Sequence, residues 1–430
     1  VAVAPSLLAV DDAQTHQAQS KSAAPQDGEQ WQPLKPLAEH PRTSINIVEQ
    51  LRRNHYIRKP IDDELSSQMF DKFLGMLDGN RSYFLASDIN NFEPLRLTLD
   101  NALKESDLEP AFLMFNRYQQ RLFERMNYSL SLLEGGIEQF DFTLDESLQI
   151  DREDAQWPIN SEAQDDLWRR RLKAQILSLR LNDKDDVEIS EILTKRLRNQ
   201  IKMAKRNKSE DAFQLYMNSF ASTFDPHTQY FSPRTSENFN INMSLSLEGI
   251  GAVLKSEDDV TSIVRLVPAG PAAKSKAIKP ADKITAVGQG KDGPMIDIIG
   301  WRLDDVVELI RGPRGSTVQL EVMSADADEE TSKLVTIVRN TIKLEEQAAQ
   351  ARIIEVTKPK PMGLTPVSNT DNVEPMRIGV IEIPTFYIDF KAQQQGVKDF
   401  RSTTRDVRQL IDQLRAENIE GLIIDLRSNG

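Results

Sequence analysis

The stretch "LEGIGAVL", residues 247–254, decides how the middle of this chain is read. Gly249 and Gly251 flank Ile250 just ahead of an apolar strand that opens with Ala252 and Val253. A glycine-rich turn before a strand lets successive backbone N–H groups converge on one point, a nest suited to a carboxylate. A peptide end held there can continue along the strand by β-augmentation. Further on, "RLDDVVELIRG" (302–312) has helical spacing and offers Leu303, Val306 and Val307 as the apolar wall of such a groove. An ordinary β-bulge has the same local signature. The setting favours the groove.

That setting is β-rich. "VTSIVRLV" (260–267), "DKITAVG" (282–288), "TVQLEVM" (317–323) and "KLVTIVR" (333–339) carry strand signals, with one further short helix at "AAKSKAI" (272–278). "GQGKDG" (288–293) fits the G-x-G-x-x-G pattern, but Pro294 follows and no helix starts there to receive a pyrophosphate. A hairpin or loop is the expectation.

Upstream, residues 44 to about 230 have a helical period. "SINIVEQLRRNHY" opens on Ser44, a plausible N-cap. "DDELSSQMFDKFLGMLDGN" puts Leu65, Met69, Phe70, Phe73, Leu74 and Leu77 on one stripe and stops at Gly79. A long amphipathic helix ends at Gly135 and Gly136, and Ser161 with Gln164 reads as a capping box for the next. "FDPHTQYFSP" (224–233) holds His227 two residues after Asp225. A capped, hydrogen-bonded turn is the expected role, since no serine stands in a G-x-S-x-G setting.

Downstream, "MRIGVIEIPTFY" (376–387), a helix over 391–418 and the strand "GLIIDL" (421–426) form a βαβ unit, after a Pro/Lys/Asn-rich loop at 358–375. One βαβ unit is not a domain, so this last domain is expected to be incomplete, with "EGLIIDLRSNG" (420–430) ending on a strand and the start of its loop.

Composition narrows the classes. The formal net charge of −13 and pI near 5.0 argue against a nucleic-acid binder, which needs a basic face. There is no cysteine, hence no disulfide frame, thiolate metal site or cysteine nucleophile. The four histidines, His16, His40, His55 and His227, lack metal-ligand spacing, so neither a metal nor another cofactor is expected. "VAVAPSLLAV" (1–10) reads as the remnant of a secretory signal, too short to span a bilayer, and residues 11 to about 42 as a disordered leader. No other stretch is long enough for a transmembrane helix.

Together, "SLSLEGIGAVL" (244–254), "GPAAKSKAI" (270–278), "ADKITAVGQ" (281–289), "DIIGWRLDDVVELIRGPRGSTVQLEV" (297–322) and "IIDLRSNG" (423–430) resemble the C-terminal processing proteases. "FDPHTQYFSP" and "HYIRKPIDDELSSQMFDKFLGMLD" (55–78) narrow the resemblance to the tail-specific branch of Gram-negative periplasms, over about 40–430. Ala281 stands where relatives often carry Gly, with no functional consequence expected.

The resemblance implies a multidomain α+β chain. Residues 1–42 are the signal remnant and leader, 43–240 a helical N-terminal domain, 241–342 a PDZ domain, and 343–430 the start of an incomplete α/β serine protease domain. It implies a PDZ groove at Gly249, Ile250, Gly251, Ala252, Val253, Leu303, Val306 and Val307 that binds apolar C-terminal tails of protein substrates. It also implies export to the periplasm and an adaptor lipoprotein held by the helical domain. The family's Ser nucleophile and Lys base lie beyond "DLRSNG". The expectation is therefore that this chain lacks the dyad and does not cut peptides alone, that Gly430 belongs to the oxyanion-loop region, and that Lys391 and Lys398 are not the base. The competing reading is a non-catalytic PDZ scaffold or adaptor.

Overall fold

The computed structural model describes residues 32–257, 259–324, 332–356 and 375–429, which form two compact units, Gln30–Asn242 and Met243–Gly430. Residues 1–31, where the signal remnant and most of the leader are expected, nearly all of the loop expected at 358–375 and Gly430 lie outside the described residues.

The first unit is helical, with α1 (His40–Asn54), α2 (Asp63–Asp78), α3 (Ala86–Phe92), α4 (Leu99–Glu105), α5 (Glu109–Glu134), α6 (Ser161–Arg180), α7 (Asp186–Lys205), α8 (Ser209–Ala221) and α9 (Pro233–Ser244), the last ending just past its boundary. The stripe on α2 is realised in full: Leu65, Met69, Phe70, Phe73, Leu74 and Leu77 are all buried. Asp62 caps α2 by accepting from Leu65 N–H at 3.1 Å. The 26-residue α5 is the spine and stops at Gly135. Its first half packs with α2, α4 and α8 around Phe73, Phe112, Phe115, Tyr216 and Phe220. Its second half packs with α6 and α7 around Met126, Trp168, Ile176 and Leu193.

Three local expectations change. Ser44 does not cap α1; the helix starts at His40, where Pro41, with its φ already helical, occupies the first turn, and Ser44 is buried. The cap of α6 is Asn160, which accepts from Ala163 N–H at 2.9 Å. Gln164 is buried instead and donates to the Ser82 and Tyr83 carbonyls. The leader gives way to order before residue 42, because Asn116 holds Leu34 by a pair of hydrogen bonds of 2.8 and 2.9 Å.

In the second unit the "MSLSLEGIGAVLKSE" segment is two strands, β1 (Ser246–Gly249) and β2 (Ala252–Glu257), parted at Ile250 and Gly251. After them come β3 (Val260–Leu266), α10 (Pro271–Ser275), β4 (Lys283–Gln289), β5 (Met295–Asp297), α11 (Leu303–Ile310), β6 (Thr317–Met323), β7 (Ser332–Val338) and β8 (Asn340–Lys343). One sheet runs β2-β3-β4-β6-β7, with β5 paired to β4, and β2 is at its edge. β1 pairs with β8 separately, in the register Gly249↔Asn340. "GQGKDG" is the β4–β5 hairpin connection, as expected. Ile250, Ile263, Val287, Val306, Leu320 and Ile337 fill the core, which α11 closes against β2 and β4.

The rest is a three-stranded sheet of β9 (Gln350–Val356), β10 (Met376–Glu382) and β11 (Gly421–Asp425), with β10 central, antiparallel to β9 and parallel to β11. The crossover is the expected βαβ connection. Its helix is broken into α12 (Phe390–Gln394) and α13 (Thr403–Ala416). Gly396 at φ 74° ends the first piece, and Ser402 caps the second by accepting from Arg405 N–H.

Candidate functional site

Three features meet along β2. The first is the turn. Gly251 adopts φ 77°, the left-handed region that favours glycine. The Ile250 carbonyl accepts from Ala272 N–H and the Gly251 carbonyl from Val267 N–H, both at 2.8 Å. Both carbonyls are thus spent inside the fold. Among the described residues no acceptor meets the N–H of Ile250 or of Gly251. Two adjacent donors across a left-handed residue form an anion-binding nest.

The second feature is the free edge of β2 itself. Ala252 and Leu254 are half-buried, while Val253 is exposed at the rim. An edge strand presents unpaired N–H and C=O groups to an incoming strand. The third is α11. Leu303 and Val307 are half-buried along its flank, whereas Val306 is fully buried in the core together with Ile250. All eight residues marked in the sequence therefore lie on the turn, the edge strand or the helix beside it. Ile250 and Val306 are buried in the core beneath, and the side chains that reach the surface are those of Ala252, Val253, Leu303 and Val307.

The loop after β11 is organised by Asp425. Its Oδ1 accepts from Arg427 N–H at 3.0 Å and from Arg427 Nε at 2.9 Å. These Arg427 hydrogen bonds hold the carboxyl down at about 2. Asn429 Nδ2 donates to Ile383 O at 2.8 Å, and Ser428 takes φ 65°. Gly430, the residue tied to an oxyanion loop, lies outside the described residues.

In the first unit, Asp225 builds the expected turn by accepting from the N–H groups of His227 and Thr228 at 2.7 and 3.0 Å. His227 itself is 93 % exposed. The partner that sequence reasoning missed is His55, whose Nε2 lies 2.6 Å from Asp225 Oδ2. Among the described residues, no group of three or more His, Cys, Asp or Glu could hold a metal ion, and no helix is long and apolar enough to cross a membrane.

The chain thus combines a helical unit, a β-rich module in which a glycine turn, an edge strand and a helix lie side by side, and a βαβ segment that leads into a polar loop. Residues 47–234 match the tail specific protease N-terminal domain, 238–323 the PDZ domain, and 377–430 peptidase family S41. The chain belongs to the C-terminal processing proteases, in their tail-specific branch.

It is 39 % identical over 381 residues to a tail-specific protease of Haemophilus influenzae, covering 88 % of this chain and 50 % of that protein. It is 28 % identical over 205 residues to the carboxy-terminal processing protease CtpA of Bacillus subtilis, covering 48 % of this chain and 34 % of that one. The chain thus spans half the length or less of these curated relatives. A crystal structure of the PDZ domain of a carboxy-terminal protease from Vibrio cholerae, in complex with peptide, is 52 % identical over 23 % of this chain and 99 % of its own, with a TM-score of 0.22.

Proposed function

We propose that this chain is the substrate-recognising part of a periplasmic serine endopeptidase. In this reading the PDZ groove captures the apolar C-terminal tail of a protein destined for cleavage. One observation carries the proposal: the Ile250 and Gly251 N–H groups stand without an acceptor while both carbonyls of the turn are engaged inside. A terminal carboxylate supplies the missing acceptors. The tail then adds to the free edge of β2, and its apolar side chains meet Ala252, Leu303 and Val307 over the floor of Ile250 and Val306. A short peptide is ordered on binding, so affinity in the micromolar range, roughly −8 kcal/mol, is expected.

Hydrolysis by the whole protein, through the Ser–Lys dyad implied by the resemblance, is part of the proposal and rests on family membership. So are export to the periplasm and an adaptor lipoprotein bound by the helical unit. Fractionation of cells and affinity capture on the isolated chain test these last two, and a wholly cytosolic protein or an empty capture would reject them.

The decisive experiment titrates one apolar-tailed peptide, as free acid and as C-terminal amide, into the 430-residue chain. A charge-assisted hydrogen bond contributes about 1.5–3 kcal/mol, so amidation should weaken binding at least about tenfold. Equal affinities would remove the chemical basis of the reading.

A further inference from the structure

Arg339 lies between β7 and β8 and is 3 % exposed. Every donor of its guanidinium is used. Nε donates to Ile310 O at 2.8 Å. Nη1 donates to Ser316 Oγ at 3.0 Å and Thr317 O at 3.2 Å. Nη2 donates to Gln289 Oε1 at 2.7 Å and Leu309 O at 2.9 Å. Its backbone is engaged too, its N–H donating to Ser316 O at 2.8 Å and its carbonyl accepting from Gly315 N–H at 2.9 Å.

None of the five acceptors is a carboxylate. Two of them, Leu309 O and Ile310 O, are the last carbonyls of α11, where the helix dipole places partial negative charge. The helix end thus takes the place of a counter-ion. Gln289 closes the ring, since its Nε2 donates to Leu309 O at 2.7 Å. Gly312 is required beside it, because a Cβ there would stand 3.0 Å from Arg339 Cζ.

The consequence lies one residue further on. Asn340 pairs with Gly249 in the β1–β8 register, and Gly249 opens the turn that carries the two unengaged N–H groups. Arg314 N–H donates to Glu248 Oε2 at 3.1 Å, and a Cβ placed on Gly249 would stand 3.9 Å from Arg311 Cα, so the end of β1 lies beside the segment leaving α11. Arg339 therefore ties the end of the helical wall to the strand that locates the carboxylate turn.

We infer that Arg339 is the positioning residue of the tail-binding groove, holding α11 and the Gly249–Gly251 turn at the separation at which one tail has its carboxylate and its apolar side chains bound together. The inference rests on the tail-binding reading above. Lysine cannot take this place, because it has three donors on a point charge where five donors in a planar fork are in use.

The test separates positioning from mere stability. A loss of folded protein weakens every ligand by the same factor. A displaced turn instead erodes the preference for a free carboxylate. A labelled decapeptide ending in three valines, as acid and as amide, is titrated into the wild-type chain, Arg339→Lys and Gln289→Leu, with thermal melts in parallel. The wild type should prefer the acid about tenfold or more. Arg339→Lys should bring the ratio to about twofold, and Gln289→Leu, which removes one acceptor of the five, to an intermediate value. A full acid preference in both variants overturns the inference. If Arg339→Lys fails to fold, Gln289→Leu decides alone. A wild type with no preference sinks the tail-binding reading itself, a separate and distinguishable failure.

Discussion

His55 Nε2 donates to Asp225 Oδ2 across 2.6 Å, although 170 positions separate the two residues in sequence. The same carboxylate accepts from Thr228 Oγ1 at 2.5 Å, while His55 Nδ1 accepts from Ile57 N–H at 3.1 Å. The pair fastens the end of α1 to the turn after α8.

The Asp225 carboxyl is held well below the usual aspartate range, first by the Thr228 hydroxyl and then by the His227 N–H, with His55 adding to both. A depressed folded-state pKa gives stability that is present above the ordinary value near 4 and is lost as pH falls through the folded value. Asp225→Asn should lower the melting midpoint of the helical unit at pH 7 and flatten its acid dependence below pH about 4. Melts of both proteins across that range check it; parallel curves would count against the clamp.

Gly249 and Gly251 should respond differently to alanine. At Gly251 a Cβ meets its nearest atom at an ordinary 3.4 Å, so the penalty comes from φ 77° and is roughly 1–2 kcal/mol. Gly249 has no positive φ, and its Cβ also meets nothing closer than 3.4 Å, so alanine there should be neutral within about 0.5 kcal/mol. Denaturant melts compare the two. The Gly251 variant should also lose part of its preference for a free-acid peptide.

Val306 and Val307 are neighbours with separable duties. Val306→Ala removes a fully buried side chain from the core and should cost about 1–3 kcal/mol of stability. Val307→Ala, on the half-buried flank of α11, should leave stability nearly unchanged and weaken an apolar-tailed peptide several-fold. Equal effects on both readouts would contradict the assignment of floor and wall.

Tyr387 links the residue just ahead of β9 to α13: its hydroxyl accepts from Ala349 N–H at 3.2 Å and donates to Asp406 Oδ2 at 2.8 Å. Burial, with Asp406 adding to it, pushes the phenol up to about 12. A raised folded-state pKa means stability that is intact below pH 10 and is lost as pH rises toward 12. Tyr387→Phe leaves the Ala349 N–H without its acceptor, while Asp406 keeps Arg401 and Arg405 beside it, and should cost about 1–3 kcal/mol at neutral pH. The variant should also lose less stability than the wild type between pH 10 and 12, as melts at each pH will record.

Much of this protein is legible in the order of its residues. The six apolar positions of α2 repeat at the helical period, and the same six are buried. The double glycine after α5, the βαβ crossover and the glycine break between β1 and β2 are equally local signals: period, turn chemistry or a short motif. Where two local signals compete, sequence is a weaker guide. Ser44 looks like a cap but is overruled by Pro41, and Ser161 by Asn160, because the helix starts where the backbone geometry is already suitable.

The sequence by itself determined the periods, the breaks and the family motifs, since each depends on residues a few positions apart. Only the tertiary structure decided which carboxylate would hold His55, that Ile250 and Val306 would be buried in one core rather than reach the surface, and that Arg339 would spend five donors on neutral acceptors from three separate segments. The physical reason is the same in each case. A buried side chain, polar or apolar, meets its partners wherever packing brings them, and separations of 20 to 170 residues leave no trace in local spacing.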